Sequence, residues 1–248
     1  MTYCVALRVE AGIVMLSDTR TNAGLDNIAM FRKTFTYEVP GERAIALLCS
    51  GNLSVTQEVK SKLSRALKDA AAEPEAGIET ILNAATMHRV AHLVGEAMKA
   101  VQHELRHGMS GGEDGLLKAS ILVAGQRKGG KPRLYMVYSE GNFIEATADT
   151  PFFQIGEHKY GKPILDRIIK PDTSLSDATK CVCVSMDSTL RSNLSVGMPL
   201  DLSIIPRDQY RFSVRRRIEA DDPEFAKISR AWGAALKRGF EALPSLMD

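Results

Sequence analysis

The chain reads as an α+β protein, with antiparallel sheets packed face to face and helices on the outside. Two observations predict this. Short runs with strand character come in groups, at about 2–9, 12–18, 32–39 and 43–49, at 118–126, 133–139 and 143–147, and near 200–206 and 209–218. Two stretches of helical period separate the first group from the second, and two more separate the second from the third. No repeat or linker interrupts this order. One domain over residues 1–248 is therefore expected, with a C-terminal helical extension at about 222–243. The pattern alone suits any α+β arrangement.

Taken in order, Met1 is followed at once by the first strand, Thr2 to Val9. Glu10-Ala11-Gly12 turns the chain into a second apolar strand that ends at Ser17-Asp18. In a hairpin the start of the first strand lies beside the end of the second, so Asp18 is expected next to Thr2. Phe31 to Val39 alternates as a third strand and carries Lys33, and Ala44 to Cys49 is the fourth. Leu53 to Ala72 is helical until Glu73-Pro74-Glu75-Ala76-Gly77 breaks it. Ile78 to His107 carries apolar residues at helical spacing and is expected as one long helix, with a loop rich in glycine and acid after it, Gly108 to Gly115. Gly141-Asn142 marks a tight turn between later strands. Helices are expected at 159–169 and 176–190, the second capped by Ser174 or Ser176. Asp221-Asp222-Pro223-Glu224 opens the last helix, with proline in the first turn and acids beside its positive end.

Methionine ahead of a small residue such as threonine is usually removed, which would leave Thr2 with a hydroxyl and a free α-amine. A threonine hydroxyl alone is a weak nucleophile, and an adjacent amine with a pKa of about 8 can take its proton. Asp18 and Lys33 nearby would complete a proton system. The ammonium lowers the pKa of neighbouring groups, and the carboxylate holds the ammonium in place.

Thr2, the Ser17-Asp18-Thr19-Arg20 turn with Gly24, and Lys33 resemble the N-terminal half of a proteasome β-subunit. Ala44-Ile45-Ala46-Leu47-Leu48-Cys49-Ser50-Gly51-Asn52 resembles its fourth strand and the glycine turn into its first helix. Phe153-Gln154-Ile155-Gly156 followed by Leu165-Asp166 resembles a later strand–helix junction, and Arg191-Ser192-Asn193-Leu194-Ser195-Val196-Gly197 the loop that supports the nucleophile. The start Met-Thr-Tyr-Cys-Val-Ala without a propeptide, and the long C-terminal extension, are most similar to the bacterial Anbu group of proteasome-related peptidases.

The resemblance implies a four-layer αββα sandwich of the N-terminal-nucleophile hydrolase kind. It implies a threonine peptidase that needs no cofactor and no metal, with Thr2 as nucleophile and Asp18 and Lys33 tuning its proton transfer. Gly51 would donate its backbone N–H to the oxyanion, Asn22 would bind the substrate backbone, and Ser195 would orient the free amine. Peptides or small amides would be the substrates. The chain would assemble into a homo-oligomer, a ring or open spiral with the sites inside; whether an ATPase partner takes part stays open. Ser192 stands where the family's loop carries aspartate, and Glu157 where the family has serine after the glycine. Lys33 comes one residue earlier relative to Thr2 than in the subunits it resembles, a shift that the loop from Asn22 to Met30 is expected to absorb.

A second chemistry competes. His103-Glu104-Leu105-Arg106-His107 fits His-Glu-x-x-His, which on a helix puts two imidazoles on one face with the glutamate as general base of a zinc peptidase. Gly108, Gly111 and Gly112 follow at once, so the pair falls at a helix end, where histidines have a simple electrostatic rationale. His88 and His92 form a separate pair about four turns away. A third reading, a non-catalytic assembly protein on the same scaffold, rests on the altered Ser192 and Glu157.

Composition fits a cytoplasmic protein. The four cysteines, Cys4, Cys49, Cys181 and Cys183, form no Cys-x-x-Cys pair and are expected buried and reduced. A net charge of +2 argues against a nucleic-acid partner, with Arg215-Arg216-Arg217 expected as a solvated face. No stretch approaches the roughly 20 apolar residues of a membrane helix, and no signal sequence is expected ahead of Thr2.

Overall fold

A computed structural model describes residues 2–22, 28–107 and 117–246, without the side chains of Asn22, Ile28 and His107. The chain runs through β1 (Tyr3–Val9), β2 (Gly12–Asp18), β3 (Arg20–Asn22), β4 (Ile28–Met30), β5 (Thr34–Val39), β6 (Arg43–Gly51), α1 (Leu53–Ala72) and α2 (Met87–His107). It continues with β7 (Ala119–Arg127), β8 (Arg133–Val137), β9 (Phe143–Glu145), β10 (Phe152–Gly156), α3 (Lys162–Ile168), α4 (Leu175–Ser192), β11 (Leu200–Pro206), β12 (Val214–Ile218) and α5 (Pro223–Glu241). One antiparallel sheet has the order β10-β1-β2-β11-β12 and the other β5-β6-β7-β8-β9, while β3 and β4 pair as a separate small hairpin.

Three buried layers define the sandwich. Tyr3, Val5, Leu7, Val14 and Leu16 pack on Leu165, Val182, Met186 and Phe225, which seats α3, α4 and the start of α5 on the first sheet. Cys4, Ala6, Ile13 and Met15 meet Ala44, Ala46, Leu48 and Leu122 between the sheets. Ile45, Leu47, Ile121 and Val123 meet Val59, Val90, Val94 and Met98 of α1 and α2. Successive strand residues point to opposite faces, so β1 from Tyr3 to Leu7 and β6 from Ala44 to Cys49 show no alternating polar residues, because both of their faces are covered. Helices outside, sheets inside: this is the four-layer αββα arrangement that the resemblance implies.

Helix α1 has the expected bounds. Its cap is Asn52, whose Oδ1 accepts the Val55 N–H at 3.2 Å. Ser174, not Ser176, caps α4. Asp222 caps α5 through the N–H groups of Glu224 and Phe225. The expected single helix from Ile78 is corrected, because α2 begins only at Met87. Polar side chains claim the backbone before it. Asn83 Oδ1 accepts the Thr80 N–H at 2.6 Å, its amide donates to the Ile78 carbonyl at 2.8 Å, and Thr80 Oγ1 accepts the Leu82 N–H at 3.2 Å. The β3–β4 hairpin replaces part of the expected loop between Asn22 and Met30. On α5, Phe225 is buried while Leu236 and Phe240 are 54% and 75% exposed. The expected loop from Gly108 to Gly115 lies outside the described residues.

Candidate active site

Hairpin register assembles the first part of the site. Cys4 pairs with Ser17, so the end of β2 lies beside the start of β1, and the Tyr3 N–H donates to Asp18 Oδ1 at 3.0 Å. Lys33 reaches the same carboxylate from outside the hairpin. Its carbonyl accepts the Cys49 N–H at 2.8 Å, and next to it the Thr34 and Ser17 hydroxyls bond across the two sheets at 2.8 Å. These contacts fix its backbone to both sheets. Lys33 Nζ lies 2.7 Å from Asp18 Oδ1 and 2.5 Å from the Arg20 carbonyl.

Asp18 is fully buried and Lys33 is 5% exposed. A buried carboxylate needs partners, and Asp18 has three: the Lys33 ammonium, the Tyr3 N–H, and the Gly197 N–H at 3.2 Å from Oδ2. Burial pushes the Asp18 carboxyl above its ordinary value, and Lys33 and the two N–H donors draw it back.

Thr2 is held from the other side by the end of β10. Its carbonyl accepts the Glu157 N–H at 2.6 Å. Gly156, opposite Tyr3, has φ +83, and a Cβ there would lie 2.0 Å from the Thr2 carbonyl oxygen, so only glycine lets the strands approach this closely. Gly51, at the end of β6, has φ +96, and its Cβ would lie 2.3 Å from the Lys118 carbonyl. Thr2, Lys33 and Gly51 line one cavity of about 420 Å³.

The loop after α4 closes the site. Ser195 gives its N–H to Asn193 Oδ1 at 2.9 Å, and the Asn193 amide donates to Glu157 Oε2 at 2.9 Å. Glu157 Oε1 accepts the Lys159 N–H at 2.9 Å. Burial alone would raise the Glu157 carboxyl, but these donors outweigh it and hold the group below its ordinary value. Arg20 donates to the Leu194 carbonyl at 2.9 Å. The two departures thus fare differently: Glu157 is bonded into the loop, and Ser192 is exposed at the end of α4. Sequence reasoning placed Asn193 and Gly197 in the loop that supports the nucleophile but assigned neither its contact, the Asn193 amide to Glu157 and the Gly197 N–H to Asp18. Asn22 lies in β3, with its side chain outside the description; Met1 and Gly24 lie outside the described residues.

The His-Glu-x-x-His segment has no comparable enclosure. His103 and Glu104 are exposed, and Glu104 is engaged by Lys62 at 2.8 Å. Among the described residues, no group of three histidine, cysteine or acidic side chains is placed to hold a metal ion. His88 stacks edge-on against Phe143, with ring centroids 5.1 Å apart. All four cysteines are buried and free. Among the described residues no helix is long and apolar enough to cross a membrane.

Comparison with known proteins agrees with this geometry. The proteasome subunit family matches residues 2–205. Anbu (ancestral β-subunit) from Yersinia bercovieri is 44% identical with a TM-score of 0.90, over 99% of this chain and 100% of that one. A Gly-1 mutant of Anbu from Hyphomicrobium sp. strain MC1 is 46% identical with a TM-score of 0.89, over 100% of both chains. The helical assembly of the Anbu complex from Pseudomonas aeruginosa supplies a third chain, 45% identical with a TM-score of 0.89, over 98% of this chain and 97% of that one. No curated protein matches. Matched through most of its length by the family, and through nearly all of it by Anbu proteins, the chain belongs to the proteasome subunit family and has its N-terminal-nucleophile hydrolase fold.

Proposed function

We propose that this protein is a threonine peptidase of the N-terminal-nucleophile type, active once Met1 has been removed. One observation carries the reading. The buried Lys33–Asp18 pair is joined by the Tyr3 N–H to the strand that follows Thr2, beside a cavity that Thr2 lines. In the reaction the α-amine of Thr2 takes the hydroxyl proton as Oγ attacks the carbonyl carbon. The C–N bond breaks, the proton passes to the leaving amine, and an ester remains on Thr2. Water, deprotonated by the same amine, then cleaves the ester and frees the hydroxyl.

The Lys33 ammonium, fixed by Asp18 and the Arg20 carbonyl, favours the developing negative charge on the Thr2 oxygen. Gly51 donates its N–H to the oxyanion, a contribution of about 3 kcal/mol. Asn22 binds the substrate backbone. Ser195 orients the amine from a loop that Asn193 and Glu157 hold together. The helical assembly of the Pseudomonas aeruginosa relative supports a homo-oligomer here, a ring or open spiral enclosing the sites. A second reading, a non-catalytic assembly protein, is favoured by exposed Ser192, which brings no acid to the loop.

Intact mass before and after treatment with a peptide epoxyketone tests both, with Thr2→Ala as control. That reagent closes its ring adduct only on a hydroxyl and a free amine of one residue. Loss of Met1 and a single adduct absent from the variant is the expected result. Met1 removed without an adduct, in protein that assembles normally, would favour the second reading. Met1 retained in protein from the native host would exclude the threonine mechanism, since a blocked amine cannot act as base.

A further inference from the structure

The cavity at Thr2 is unevenly charged. Its described lining carries three cations, Arg32, Lys33 and Lys60, and no aspartate or glutamate. Lys33 is neutralised by Asp18. Lys60 is exposed on α1, its ammonium 5.5 Å from the centroid of the Phe35 ring, and it forms no ion pair among the described residues. Arg32 is exposed and likewise forms none. The N-terminal end of α1 reaches the same cavity through Leu53 and Thr56, and its first turn holds no acid, so the helix dipole adds in the same sense. The remaining walls include apolar Phe31, Phe35 and Leu53. A second cavity, of about 250 Å³, shares Arg32 and continues along Arg215, Arg216 and Arg217 of β12. Arg216 and Arg217 are matched there by Asp222 and Asp201, while Arg215 lies over the Phe212 ring.

An uncompensated cation on an apolar-walled pocket selects by charge. It attracts a carboxylate whose methylenes contact the walls, and it repels an ammonium. We infer that the substrate is a peptide with an acidic side chain, glutamate or aspartate, on the residue whose carbonyl Thr2 attacks, and that Lys60 selects it. Arg32 adds to the field. This rests on the threonine peptidase reading.

The test uses the assembled full-length protein with N-capped tripeptide coumarin amides that differ only in the last residue: glutamate, leucine or lysine. In the wild type, kcat/KM for the glutamate peptide is expected to exceed that for the lysine peptide by about tenfold or more. The ratio should fall toward one in Lys60→Ala and invert in Lys60→Glu. A wild-type preference for lysine, or a ratio that Lys60→Glu leaves unmoved, overturns the inference. Calorimetry of N-acetyl tripeptide amides with the same last residues, on Thr2→Ala protein, reads the pocket without turnover. Tighter binding of the glutamate peptide, lost in Thr2→Ala/Lys60→Ala, supports the inference; equal binding, or none, overturns it. Hydrolysis of the glutamate peptide by Thr2→Ala would instead sink the threonine mechanism while the charge preference stood.

Discussion

Two regions of this chain carry the residue types of peptidase chemistry, and they differ in what surrounds them. At the start of β1, Asp18 and Lys33 are buried and paired, and Tyr3, Gly197 and the Arg20 carbonyl satisfy what the pair leaves over. At the end of α2, His103 and Glu104 stand in solvent, with Lys62 reaching Glu104 from α1. The sequence spacing of the second region fits a known motif more literally than that of the first. Burial with matched partners separates them. Holding an ammonium and a carboxylate out of water costs stability unless the geometry is good, and an exposed charge costs almost nothing to keep.

The sharpest way to break this contrast is to unpair the buried charges. Asp18→Asn would leave the Lys33 ammonium buried without a counter-charge, and a loss of about 3–5 kcal/mol is expected in denaturant unfolding. Adding Lys33→Met should recover most of that stability and none of the peptidase activity. A single variant that loses less than about 1 kcal/mol would mean that the pair is not sealed from water.

Gly156→Ala should come next, at about 2 kcal/mol, because it combines a positive φ with a clash against the Thr2 carbonyl. The displaced atom belongs to Thr2, so the rate of epoxyketone adduct formation should fall as well. Wild-type adduct rate in a folded Gly156→Ala protein would show that Thr2 tolerates displacement.

Glu157→Gln sharpens the comparison at the loop, with an expected cost of about 1 kcal/mol near neutral pH. The Glu157 carboxyl is held low, so its contribution is complete above the unfolded value of about 4.3 and is lost as pH falls through the lower native value. The stability gap between wild type and variant should therefore shrink in acid. A gap that widens in acid would reverse the assigned sign.

The smallest effect belongs to α2. Glu104→Gln should stay within about 0.5 kcal/mol of wild type in stability and leave peptide turnover unchanged. Complete loss of turnover, with sensitivity to a chelator, would exchange the standing of the two regions.

Legibility in the sequence followed the range of the contacts. Asp18 beside Thr2 needs only a two-residue turn and an antiparallel pair, so hairpin geometry places it. Leu53–Ala72 was readable because a helical period is a local signal. Gly197 and Asn193 come from the far end of the chain; their loop was legible as a motif, but their partners Asp18 and Glu157 are set by contacts across the fold. Glu157 read as a defect when taken alone, since its partner Asn193 can be recognised only in space. The misread start of α2 has a different cause. The apolar spacing from Ile78 is real, but Thr80 and Asn83 offer the backbone hydrogen bonds that a helix would otherwise supply.

Each of the three buried layers also contains a native thiol. Cys181 and Cys183 lie under the helices of the first sheet, Cys4 between the sheets, and Cys49 between the second sheet and its helices. Burial pushes Cys181 and Cys49 up to about 12 and Cys183 up to about 11, so at neutral pH these thiols are nearly unreactive while their layers stay closed. Alkylation followed by peptide mapping would therefore record the order in which the layers come apart.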